Sequence, residues 1–201
     1  TNTVSFTGAA GTQTLNTGGV ANSSFYNLQH TGAGTLQLST NHLTVTGNLT
    51  NTAGTFDANG LNTTITGTST LSGGTYLAKT GTQNFDGGLT LNGATLTGSS
   101  GIINTSNLTL SSGTLTAPSG AFNVSGNWSQ SGGTFTPGTN TVYFNGPSAQ
   151  TLLGSTFYDL ELNNANGLSL GSDNTINNVL TLTSGLINTS TYQLKIGSVS
   201  Y

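Results

Sequence analysis

The chain contains no cysteine, no methionine and no arginine, and only 3% of its 201 residues are charged, against roughly 25% in an average soluble protein. Without cysteine there is no disulfide framework and no thiol chemistry. With Lys79 and Lys195 as its only cationic side chains and a net charge of -3, the chain cannot build the basic cluster that neutralises phosphates, which argues against nucleic-acid binding. No apolar run is long enough for a membrane-spanning helix, and no charged segment precedes an apolar stretch at the start. The first residue is Thr1 rather than Met, so the chain is expected to be a processed product or a piece of something longer, with any secretion signal already removed.

What the sequence has instead is Ser, Thr, Asn and 30 glycines. Such a composition resembles disorder, but disordered chains are poor in β-branched and aromatic residues and carry high net charge. This one keeps eight Phe and six Tyr, with its apolar residues spaced regularly.

Gly-Thr followed by a large apolar residue begins at Gly34, Gly54, Gly74, Gly113 and Gly133, with the variant "GATL" at Gly93. A fixed period of about 20 residues marks stacked supersecondary units. A second register, "LTVTGNL", "TTITGTSTL", "NFDGGL", "IINTSNL" and "FNVSGNW", runs in phase with the first. Apolar and polar residues alternate at period two, the spacing of strands, and no segment holds the 3.6 period of a helix. The expected fold is all-β: a right-handed parallel β-helix, or β-solenoid, of about 20 residues per coil, its hand following from the crossover rule. One inward stack should contain Leu36, Phe56, Tyr76, Leu96, Leu115 and Phe135. Leu43, Val45, Leu49 and Phe56 should lie under Ile65, Leu71 and Tyr76. Asn-Gly pairs at Asn59, Asn92, Asn145 and Asn166 suit tight corners; hairpins would break the constant period.

A longer duplication overlies the coils. "TNTVSFTG" at Thr1 matches "TNTVYFNG" at Thr139, "QTL" at Gln13 matches Gln150, and "SFYNLQ" at Ser24 matches "TFYDLE" at Thr156. The chain therefore reads as one continuous solenoid over 1–201, with a cassette at 1–57 repeated at 139–201 and intervening coils at 58–138.

The string "GNWSQSGGTFTPGTNTVYFNGPSAQTLLGSTFYDLELNN", residues 126–164, resembles the repeats of very large bacterial cell-surface and secreted adhesin-like proteins. The resemblance extends over nearly the whole chain through the cassette and the coils. It implies a parallel β-helix, an extracellular or cell-surface location and a structural or adhesive role, and it implies no catalytic residue.

The candidate reactive groups are sparse. Asp159 and Glu161 lie two apart on one strand and face the same side, but the first cassette copy carries Asn27 and Gln29 there. That exchange keeps shape and deletes charge, so the position does not require an acid. Asp57, Asp86 and Asp173 stand singly on different coils, and the calcium-binding nonapeptide pattern is absent. His30 and His42 have no partners at zinc spacing and read as surface or turn residues. No glycine string has the context of a nucleotide-binding loop, and neither histidine adjoins a nucleophile elbow. Lys79 reads as a solvated residue on a return turn. Trp128 reads as a core residue in the position held by Leu49, Leu71, Leu89 and Leu108, rather than as a sugar-stacking platform. Asn-x-Ser/Thr strings, as at Asn22, Asn48, Asn107 and Asn127, arise by chance in this composition.

No catalytic residue, cofactor or metal is therefore assigned, and the chain is not expected to be an enzyme. The expected role is structural: a stalk, adhesin shaft or fibre subunit of an extracellular bacterial protein, whose partners are flanking repeats or further copies joined end to end. The alternative is a ligand-binding solenoid, taking a surface glycan, or ice through the array Thr95, Thr97, Thr114, Thr116, Thr134 and Thr136. Earlier coils read "TLQ", "TFD" and "TYL" in place of "TxT", so that array is expected to be interrupted.

Overall fold

Strand pairs with strand one coil on, always in parallel, as in Thr35↔Thr55, Thr55↔Thr75 and Thr75↔Thr95. The computed structural model describes residues 2–16 and 22–200, and these contain no helix. Thr1, which opens the first cassette copy, and Tyr201 lie outside the described residues, as does the side chain of Asn22. The result is an all-β solenoid of about nine turns.

Each turn contributes three strands, which stack into three faces. The first face begins with Thr3–Phe6 and continues through Asn27–His30, Leu49–Asn51 and Ser69–Leu71 to Ile187–Asn188. Thr12–Leu15, Thr35–Leu38, Thr55–Asp57 and Thr75–Leu77 lead the second face, which reaches Thr134–Thr136. The third face runs from Asn22–Phe25 through His42–Val45, Thr63–Ile65 and Thr82–Phe85 to Asp159–Asn163 and beyond. In two coils the strands Leu89–Thr97 and Leu108–Thr116 pass straight through the first corner, so the first two faces merge into one 15-stranded sheet.

Alternation sets what is inside. In Thr35–Leu38 and Thr82–Phe85 every second residue is buried and the others are half-buried. Leu36, Phe56, Tyr76, Leu96 and Leu115 form one continuous register and are fully buried. Phe135 follows in the same register but is half-buried. Full burial of each such side chain contributes about 1.5–3 kcal/mol. Phe56 and Tyr76 stack with centroids 4.9 Å apart.

The first corner explains the Gly-Thr period. Gly54, Gly74, Gly93, Gly113 and Gly133 all have positive φ, between 58° and 114°, a region that glycine enters without steric cost. At Gly74 a Cβ would also lie 2.1 Å from the Gly54 carbonyl oxygen. Asn59, Lys79 and Ser99 hold the same left-handed conformation at the corner between the second and third faces.

One expected neighbour is corrected. Leu49, Leu89, Leu108 and Trp128 share a column, but Ser69 occupies that column in the intervening coil. Leu71 lies two residues later, beside Asn51 and Leu91. The string "STL" places its leucine one inward position further along, three residues before its Gly-Thr at Gly74, where Leu49, Leu108 and Trp128 stand five before theirs.

The two cassette copies lie on different faces. In the first, Thr3 pairs with Asn27 on the first face; in the second, the equivalent Thr141 pairs with Asp159 on the third. The cassette thus encodes which strand pairs with the strand one turn later, not the side of the solenoid on which this happens.

Candidate functional site

Outward-facing residues form columns along the axis, and three regions differ from a plain Ser/Thr surface. On the second face Thr12, Thr35, Thr55, Thr75, Thr95, Thr114 and Thr134 make one unbroken column. The interruption expected from the sequence is confined to the next column, where Gln37, Asp57 and Leu77 precede Thr97, Thr116 and Thr136. Thr134 and Thr136 are exposed and the four threonines before them half-buried.

That interruption contains the ion pair Lys79 Nζ to Asp57 Oδ2 at 2.8 Å. Lys79 is on a turn, as its sequence context suggests, but it is not simply solvated. Asp57 also accepts from Gln37 Nε2 and from the Asn59 backbone N–H, both at 2.8 Å. Burial alone would raise the Asp57 carboxyl; these bonds and the lysine charge together hold it below the ordinary carboxylate value.

The second region is a break in the second face. No pairing joins Thr134–Thr136 to Thr156–Phe157, and a cleft of about 370 Å³ opens between them. Phe135 and Phe157 meet beneath it at 5.7 Å, and Phe135 packs on Trp128 at 4.8 Å. Trp128 is fully buried, and its indole N–H donates to Ser155 Oγ at 2.9 Å.

The third region is a groove of about 430 Å³ on the third face, lined by Asp86, Asn104, Ser106, Asn123, Ser125 and Asn145 among others. An asparagine ladder runs along it. Asn104 Nδ2 donates to Asn84 Oδ1 at 2.7 Å, Asn123 Nδ2 to Asn104 Oδ1 at 2.8 Å, and Asn145 Nδ2 to Asn123 Oδ1 at 3.2 Å.

The remaining sequence candidates do not converge. Asp159 Oδ1 accepts from Asn178 Nδ2 at 2.9 Å and the Val179 N–H at 2.8 Å, and Glu161 Oε1 accepts from Thr183 Oγ1 at 2.8 Å. Asp173 Oδ1 likewise takes the Gln193 N–H at 2.8 Å. These acids staple one coil to the next, as Asn27 does for the Asn48 N–H at 2.8 Å. His42 is exposed, and its Nδ1 accepts from the Asn62 N–H at 3.0 Å. His30 is not a surface residue: it is fully buried, with Nδ1 2.7 Å from Asn51 Oδ1. Asn51 Nδ2 donates to the Gly73 carbonyl, so Oδ1 faces His30 and Nδ1 carries the proton. Reading position 30 down its column, through Asn51 to Leu71 and Leu91, would have shown a histidine at an inward site.

A further buried group, Tyr76, donates to Gln83 Oε1 at 2.6 Å beside Thr63. Burial pushes its phenol well above the ordinary value, and the Thr63 bond only partly offsets this. With Gln83 Nε2 donating to the Leu61 and Ala78 carbonyls, this knot is satisfied internally and is structural.

No protein-family model, curated protein or solved structure matches the chain.

Proposed function

We propose that this chain is a structural solenoid segment of an extracellular bacterial protein, serving as a stalk, adhesin shaft or filament subunit. The observation that carries the reading is the last described coil. There an apolar cavity of about 760 Å³, lined by Leu180, Leu182, Leu186, Ile187, Leu194 and Ile196, opens at the end of the core. Leu186 is 82% exposed. From Leu36 to Leu115 the inward side chains are covered by the following coil, and a further coil of the same repeat would cover these side chains in the same way. Unpaired parallel strand edges and a nearly uncharged surface favour such addition.

Electron microscopy and sedimentation over a range of concentrations test this. Rods lengthening along the solenoid axis, with Leu186→Glu suppressing the growth, are the expected outcome. A concentration-independent monomer unaffected by Leu186→Glu would sink the proposal.

The unbroken threonine column on the second face favours a second reading, adsorption to ice through regularly spaced hydroxyls and methyls. Thermal hysteresis of the purified protein, lost in Thr95→Tyr and Thr114→Tyr variants, would support it; absence of hysteresis removes it.

A further inference from the structure

We propose that the groove on the third face binds a neutral oligosaccharide, independently of any shaft role. Two columns form it. Asn84, Asn104, Asn123 and then Tyr143 occupy successive rungs of one column. Asp86, Ser106, Ser125 and Asn145 each lie one residue beyond the rungs Phe85, Thr105, Val124 and Phe144. At 4.7–4.9 Å per rung the distance from Asp86 to Asn145 is about 14 Å, a length suited to several linked sugar rings.

The hydrogen-bonding capacity left in the groove matches a polyol. Each ladder amide commits one Nδ2 hydrogen to the preceding rung and keeps the second free to donate outward. Every ladder bond runs in the same direction, so the unused carbonyl accumulates at Asn145, whose Oδ1 has no partner among the described residues. Asp86 is exposed, and its carboxylate also has no hydrogen-bond or ion-pair partner among the described residues. A carboxylate accepts from two neighbouring hydroxyls at once, and bonds to a charged acceptor are stronger than neutral ones. The groove therefore offers acceptors at both ends and a line of donors between them.

Tyr143 does not line the groove itself but stands on the rung after Asn123. Val142 and Phe144 on either side of it are fully buried, so Tyr143 faces outward beside Asn123, an aromatic ring at the end of the amide line. Such a ring supplies an apolar face with a polar edge, suited to stacking against a sugar.

Charge selects the class of glycan. Asp86 is the only ionisable side chain lining the groove. Lys79 is engaged with Asp57, and Lys195 lies beside the apolar terminal cavity. Uronic or sulfated chains would meet an unbalanced carboxylate, whereas neutral hexose or N-acetylhexosamine chains would not.

Titration calorimetry with cellotetraose, chitotetraose and maltotetraose, with polygalacturonate as the acidic comparison, tests the proposal. At least one neutral tetraose should bind. Asp86→Ala should weaken binding about tenfold or more, the loss expected for a charge-assisted hydrogen bond. Ser125→Trp should abolish it by filling the groove, while Thr70→Val on the first face leaves it unchanged. Circular dichroism on each variant separates lost binding from lost fold. No heat with any neutral tetraose at millimolar concentration overturns the proposal. So does binding unchanged in folded Asp86→Ala and Ser125→Trp proteins, a preference for polygalacturonate, or a response to calcium alone.

Discussion

Lys79 reaches back one coil to place its ammonium 2.8 Å from Asp57, across the column where the second line of threonines is interrupted. Because the folded Asp57 carboxyl lies below its ordinary value of 3.8, its stabilisation is fully present above that pH. It is lost as pH falls through the lower folded value. Thermal melts between pH 2 and 6 should show this acid loss, and Asp57→Asn should flatten it. Lys79 is 40% exposed, so Lys79→Gln should cost less than about 1 kcal/mol.

Gly74 and Gly138 separate two costs. Both have positive φ, at 66° and 59°, but a Cβ at Gly138 meets nothing within 4 Å while one at Gly74 strikes the Gly54 carbonyl. Gly138→Ala should cost about 1–2 kcal/mol from left-handed strain alone. Gly74→Ala should cost roughly 2–4 kcal/mol, strain plus backbone displacement. Equal losses in urea unfolding would refute the steric account of the corner.

Phe56 is sealed between Leu36 and Tyr76, and Phe56→Ala should lose about 3–5 kcal/mol as a core cavity. Phe135 borders the open cleft, where solvent can enter the space left behind, so Phe135→Ala should lose about half as much. Denaturant midpoints of the two variants decide this.

Asp159→Asn with Glu161→Gln should change stability by less than about 0.5 kcal/mol, because an amide oxygen performs the same stapling at Asn27. A loss of several kcal/mol, measured by thermal unfolding, would give these carboxylates a role that their hydrogen bonds do not account for.

His30 and Asn51 should behave as a unit. Either residue replaced alone by Leu leaves a buried polar partner unsatisfied, at about 1–3 kcal/mol. The double replacement extends the leucine column of Leu71, Leu91 and Leu110 and removes the unpartnered His30 Nε2, so it should cost less than either single change. A double-mutant cycle measures the coupling.

The coil period and the inward stack from Leu36 to Leu115 were legible because alternation and the Gly-Thr corner act within a few residues of one another. The burial of His30 and the pairing of Lys79 with Asp57 were not. Each depends on contacts about one turn away in sequence, and these emerge only when the coils are written beneath each other. The same holds for the groove: Asn84, Asn104 and Asn123 look like ordinary polar strand residues until their register makes them neighbours. The break between Thr134–Thr136 and Thr156–Phe157 left no composition signal, since both segments keep a normal polar–aromatic pattern.

The displacement of the cassette from the first face to the third has a consequence for any longer array. Tandem copies whose strand count is not a multiple of three advance by one or two thirds of a revolution each time. A surface feature carried by such a cassette would then recur not along a single line but on a slow spiral around the rod. Successive copies would present it in different compass directions, and a ligand approaching from any side would meet one.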